Sequence, residues 1–232
     1  MLPKIIIDER IKKVCPDIKI GVIRAKVTNC ETSPELWAEI EREAAEIVSK
    51  YELLEINKRP AVAQTRALYR ALGKDPNRYR VASEALCRRV IRGLGLYRID
   101  TLVDLINLVS MKTGYAISGL DGDKLEGDTL TMGVGEEGEM YCGIGRGQLN
   151  IAGMPVYRDA VGGVATPTSD EERTKITIDT CTLQMNINGF GPEMPMEEAV
   201  AWSVELLRKY ANVTEVETAI VSRKLEKQNT LP

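Results

Sequence analysis

The densest run of chemistry-bearing side chains lies in residues 160–180. There Gly162, Gly163, Thr166, Pro167, Thr168, Asp170, Arg173 and Thr174 share one polar loop. Paired glycines let backbone N–H groups come close to a ligand oxygen, and the threonines, Asp170 and Arg173 supply donors and acceptors. A solvated turn is the bland account, but this density makes the loop the first candidate for the wall of a site. Asp104 and Asn107 form a second group. They lie three apart beside Val103, Ile106 and Val109. Polar groups on so apolar a helix need partners if buried, and a structural hydrogen-bond knot is the plainer reading.

Some chemistry is excluded outright. The chain has no histidine, so a Ser-His-Asp triad, a Cys-His dyad and a two-histidine zinc site are impossible. Five cysteines (Cys15, Cys30, Cys87, Cys142, Cys181) are scattered without a CxxC pair, which suits thiols in a reducing compartment. Gly133, Gly135 and Gly138 match the dinucleotide fingerprint by letter. However, two glutamates sit inside that loop and a strand is expected after it, so a glycine-rich hairpin fits better. Asp121, Asp123, Glu126 and Asp128 look like a calcium loop, but Leu125 and Met132 occupy ligand positions and the glycine is misplaced. The sequence therefore implies no metal and no cofactor.

Charge is distributed unevenly. The 232 residues carry a net −3, yet residues 58–98 hold eleven basic side chains against Asp75 and Glu84. Arg66 and Arg70, like Arg88 and Arg92, are four apart and would share helix faces. One reading is a phosphate-gripping surface. The other is an arginine-rich face paired with the preceding acidic helix, and on composition alone it weighs slightly more.

The elements that would carry these residues are legible. Residues 19–27 read as a strand. Ser33 caps a helix over 34–53 with Pro34 in its first turn. Further helices are expected over 60–72, from a Ser83 cap to about 92, and from Asp100 or Thr101 through Val109. Beyond Gly114 glycine becomes frequent, and strands are expected at 115–120, 129–133, 140–144, 155–158 and 176–187. A helix at 196–210 and a strand at 216–221 follow, and the tail from Arg223 reads as frayed. No run approaches a membrane span, and the short apolar run at residues 5–7 is no secretory signal. The expectation is one α+β domain over 1–232, with helices packed on a mostly antiparallel sheet.

Several fragments recur in one order. They are Arg59-Pro60, 67–70 (ALYR), 73–76 (GKDP), 78–79, 83–86 (SEAL), 88–90 (RRV), 103–107 (VDLIN), Asp121 with Lys124 and Gly127, and Gly163, 167–170, Arg173 and Thr174. In that order the chain resembles a free-standing form of the tRNA-editing module of bacterial phenylalanyl-tRNA synthetase, the third and fourth domains of its beta subunit. The resemblance spans about 33–189. It implies that module's fold and hydrolysis in trans of a mischarged aminoacyl-tRNA ester, while the scattered thiols are what point to the cytoplasm. A complete synthetase is not implied.

The implied partner is tRNA or its aminoacylated 3′ end, with a free amino acid as a further ligand and no membrane. The family's pocket asparagine falls on Asn107. Its pocket histidine falls on Ser118, and its pocket glutamate near Asn186 if Thr180 keeps the register. Gly162, Gly163, Thr168, Asp170 and Arg173 complete the expected pocket. Arg59, Arg66, Arg88, Arg89 and Arg92 are the expected tRNA contacts. Ser118 and Asn186 bring neither an imidazole nor a carboxylate to their positions. The alternative is therefore a protein that holds a tRNA end, an amino acid or another small ligand without chemistry.

Overall fold

In the computed structural model, which describes residues 1–222, two four-stranded sheets lie face to face and helices cover the outer face of one of them. The first sheet runs in the order β10 (Glu215–Ser222), β2 (Lys19–Lys26), β9 (Thr182–Gly189) and β3 (Ala116–Asp121), with every pairing antiparallel. The second runs β1 (Lys4–Ile7), β4 (Thr129–Val134), β7 (Pro155–Arg158) and β8 (Gly163–Ala165). Its β1–β4 pair is parallel. The expected α+β class with a mostly antiparallel sheet is what the chain forms.

Local signals account for the helices. Ser33 accepts from Leu36 N–H, and Pro34 opens α2 (Pro34–Lys50). Pro60 opens α3 (Pro60–Ala71), which stops at Gly73, where φ is +82°. Asp100 accepts from Val103 N–H to cap α5 (Thr101–Thr113), and Gly114 closes it in the left-handed region. Helix α6 spans Met196–Tyr210 as expected. With α4 (Ala82–Ile91) these helices bury Leu36, Ile40, Leu105, Val109, Ala199 and Leu207 against Ile23, Leu183, Met185 and Ile187 of the first sheet. A second apolar cluster fills the space between the sheets, joining Ile20, Val22 and Leu120 to Ile7, Met132, Tyr157 and Val164.

Several expectations need correction. Ser83 is not a cap. Helix α4 starts at Ala82, whose N–H is held by the Pro167 carbonyl at 2.9 Å, and Ser83 is buried inside the first turn. The strand expected over 176–187 begins only at Thr182. Before it the Thr180 hydroxyl accepts from Thr177 N–H (2.9 Å) and donates to Asp121 (3.0 Å), which fixes a turn in place of a ladder. The strand expected over 140–144 shrinks to Cys142–Gly143. Strand β1, helix α1 (Glu9–Val14) and β8 were not anticipated. The tail from Arg223 lies outside the described residues. No helix among the described residues is long and apolar enough to cross a membrane.

Gly135 explains the fingerprint-like glycines physically. A Cβ there would lie 2.0 Å from the Ile151 carbonyl oxygen, because two backbones cross at this point. Gly135→Ala is expected to lower stability by about 3 kcal/mol, read from urea unfolding. A near-neutral result would refute the close-approach account.

Candidate functional site

Strand β9 is buried along its whole length, yet only one of its faces is apolar. Leu183, Met185 and Ile187 pack against the helices, while Gln184, Asn186 and Asn188 alternate with them toward the second sheet. On that side the Tyr157 hydroxyl donates to Asn188 Oδ1 at 2.7 Å, and Asn188 Nδ2 donates to the Ala116 carbonyl at 2.9 Å. Ser118 of β3 pairs in register with Asn186 and faces the same way. The result is a polar seam between two sheets, with Ser118, Gln184 and Asn186 no more than 1 % exposed.

The seam is incompletely satisfied. Gln184 Nε2 donates to Asn186 Oδ1 at 2.8 Å, leaving Gln184 Oε1 and Asn186 Nδ2 buried without partners. Rotating both amides exchanges the roles but still strands one acceptor and one donor. The pair therefore offers two complementary hydrogen-bonding groups to a third body.

Asp170 borders this seam at the outer edge of β3. Its Oδ2 accepts from Gly119 N–H at 3.1 Å, and the Ser118 hydroxyl also bonds to the carboxyl. The residue keeps some surface exposure, but its carboxyl end is enclosed. Burial pushes that carboxyl up to about 7, against the opposing pull of these two donors. The loop around Asp170 is braced. The hydroxyls of Thr168 and Tyr69 share a 2.9 Å bond, Tyr141 donates to the Ser169 carbonyl at 2.6 Å, and a Cβ at Gly163 would sit 2.9 Å from the Tyr141 ring.

Thus Ser118, Asn186 and Asp170 meet, and Gly163 and Thr168 support the loop beside them. Other expected pocket residues go elsewhere. Gly162 N–H donates to Asp159 at 3.1 Å, and Arg173 pairs with the same carboxylate at 2.9 Å. Gly162 therefore has no free N–H for an oxyanion, and Arg173 is a brace. Thr180 is engaged with Asp121. Asn107, half-buried on α5, lies on the helix side of the first sheet, where neighbouring Ile106 covers Gly119. The seam side chains are on the other face. Asp104 behaves as a structural knot, accepting from Thr32 and from Ile99 N–H.

The arginines divide as well. Arg66 is buried, donating to Glu84 (2.8 Å), Asn77 (2.6 Å) and the Pro76 carbonyl. Glu84 also receives Arg88 at 2.8 Å. Arg59 is buried against Glu193 (2.6 Å), Cys87 and the Lys112 carbonyl. Arg59 and Arg66 are therefore internal struts, not phosphate contacts. Arg92 is exposed and Arg89 half-exposed. Sequence reading missed Gln184, Asn188 and Tyr157. The signal was the strict polar–apolar alternation of 182–188, which ordinarily marks a strand with one wet face.

Among the described residues no group of three acidic, cysteine or histidine side chains is placed to hold a metal ion. A cavity of about 560 Å³ lies at the C-terminal end of β9, between Asp17, Lys19, Phe190 and Met194.

Comparison with known proteins gives one family and a match among solved structures. The B3/4 domain family model matches residues 64–205. The crystal structure of an N-terminal fragment of the phenylalanyl-tRNA synthetase beta subunit from Pyrococcus horikoshii is 12 % identical, with a TM-score of 0.46. The match covers 97 % of this chain and 54 % of that one, so the chain spans about half its length. No curated protein matches the chain.

Two measurements test this geometry. Arg66→Met leaves Glu84 buried with a weakened set of partners and is expected to cost about 3 kcal/mol, whereas Arg92→Ala should stay within about 0.5 kcal/mol. Equal costs would contradict the division into struts and surface groups. The second measurement concerns Asp170. The folded chain keeps a proton there that the unfolded chain, with an ordinary value of 3.8, gives up earlier. The associated stability is complete at low pH and is lost as pH rises from about 4 to about 7. Unfolding titrations of Asp170→Asn across that window should show the decline abolished.

Proposed function

The chain belongs to the B3/4 domain family, found in the phenylalanyl-tRNA synthetase beta subunit, and on that footing we propose that it hydrolyses the ester of mischarged aminoacyl-tRNA in trans. The observation that carries this reading is the stranded donor and acceptor of Gln184 and Asn186, set beside Ser118 and the raised carboxyl of Asp170. A histidine-free site needs another proton acceptor, and Asp170 suits the task because its affinity for a proton is close to that of an imidazole.

In this reading water adds to the ester carbonyl carbon and its proton passes to the Asp170 carboxylate. Asn186 Nδ2 stabilises the oxygen that gains charge, the ribose oxygen departs, and the neighbouring ribose hydroxyl helps to return a proton to it. The ester is already activated, so a gain of about 10³–10⁴ requires only about 4–5.5 kcal/mol. One or two oriented donors supply most of that. By the resemblance, Ser118 and Asn186 stand where the family has a histidine and a glutamate, so the family's choice of amino acid does not carry over to this pocket.

A second reading has its own support. Ser118, Gln184 and Asn186 are closed to solvent, so a substrate must part the 160–176 segment from β3 to reach them. A protein that clasps a tRNA end or a free amino acid without turnover would be built the same way. Saturation at about 100 times the dissociation constant would then stabilise it by about 2.7 kcal/mol.

The deciding experiment is a panel of mischarged tRNAs assayed for ester loss across pH. The hydrolytic reading expects cleavage that accelerates up to about pH 7 and then levels, with the inflection absent in Asp170→Asn. No cleavage above buffer, combined with a ligand-induced thermal shift, would replace it with the binding reading.

A further inference from the structure

The segment joining α4 to α5 is built unlike an ordinary connection. Gly93 and Gly95 take φ values of +69° and +61°. The chain between and after them leaves Leu94, Tyr97 and Ile99 respectively 58 %, 68 % and 58 % exposed. Tyr97 is held in place from one side. The Arg89 guanidinium lies 4.0 Å from its ring centroid, and Arg89 Nη2 donates to the Leu94 carbonyl at 3.3 Å. Arg89 Nε is buried without an acceptor.

Two further cations lie in the same short stretch of chain. Arg92 and Arg98 are exposed, and Arg98 rests 4.6 Å over the Trp37 ring. The acids of the stretch do not balance them at the surface. Glu84 is buried among Arg66 and Arg88, and Asp100 is buried as the cap of α5. On adjacent α2, Glu41 accepts from the Trp37 indole.

We infer that this loop is a stacking platform for an unpaired nucleotide of single-stranded RNA, with a base on the open face of Tyr97 and the flanking phosphates on Arg92 and Arg98. The chemistry is specific to that occupant. An aromatic ring with one face covered by a guanidinium presents its other face to a flat, polarisable partner. The exposed guanidinium groups of Arg92 and Arg98 are suited to engage phosphate bidentately. A folded protein of ordinary composition would meet the arginines without matching charge. The inference rests on the tRNA-directed reading for its class of partner, but it requires no hydrolysis. It keeps Arg92 from the five arginines that the sequence suggested and adds Tyr97 and Arg98, which the sequence did not suggest.

The test is fluorescence anisotropy with a labelled short single-stranded RNA and a blunt duplex of the same sequence. The platform expects tighter binding of the single strand, a loss of about tenfold in Tyr97→Ala, and retention in Tyr97→Phe, because stacking does not use the hydroxyl. Arg92→Ala and Arg98→Ala should each reduce the logarithmic salt slope by about 0.7. Unchanged binding by Tyr97→Ala, or preference for the duplex, overturns the proposal. So would self-association of the protein alone that Tyr97→Ala abolishes, since a second copy would then occupy the loop. An aminoacyl ester too small to span from the seam to the loop separates the two readings. If Tyr97→Ala cleaves it normally but binds RNA poorly, the platform stands on its own. If even the native chain fails to cleave it while the RNA results hold, only the hydrolytic reading falls.

Discussion

A strand buried on both faces with amides along one of them governs this architecture. Burying an amide without a partner costs free energy comparable to a lost hydrogen bond. The sheet-to-sheet interface therefore cannot close as a simple oil layer. Asn188 is fully engaged by Tyr157 and the Ala116 carbonyl. One residue pair further along, Gln184 and Asn186 are engaged only with each other. The same strand thus contains both a solved and an unsolved version of one problem. The unsolved one lies beside Ser118, whose hydroxyl bonds to Asp170 at the sheet's free edge.

The charge pattern is resolved in a similar way, by turning groups inward. The basic stretch looked like a surface in the sequence, but two of its arginines brace helices from within. Glu84, one of only two acids in that stretch, accepts from Arg66 and Arg88 at once. With Arg80 Nε 3.7 Å away as well, a single carboxylate gathers three guanidinium groups around itself. What remains outside is a smaller cationic surface than the composition suggests.

Much of the helical half was legible because its boundaries rest on short-range chemistry. Ser33, Pro34, Pro60, Asp100 and Gly114 each act within one turn, and the structure uses them where the sequence places them. The failures share a different physics. Ser83 is a good cap by type, but the entry to α4 is fixed by a carbonyl more than eighty residues away. Residues 176–181 alternate like a strand, yet Thr180 spends its hydroxyl on a turn. Strand β8 has three residues, too few for periodicity to register, and β1 (KIII) has no alternation after Lys4. Within the site, Asp170 could be singled out from the density of its loop, and Ser118 and Asn186 only through the family resemblance. That Asn107 lies across the sheet, or that Gly162 and Arg173 converge on Asp159, depends on which face each segment presents, and that is decided by tertiary packing.

The alternation along β9 divides labour between neighbours in the chain. Every second residue anchors the helical layer, so a change there threatens the whole molecule. The intervening ones answer to one another, to neighbouring β3, to the opposite sheet and to whatever enters between. A lineage could rewrite Gln184 or Asn186 one letter at a time, retuning what the interior accepts, while the scaffold is inherited intact.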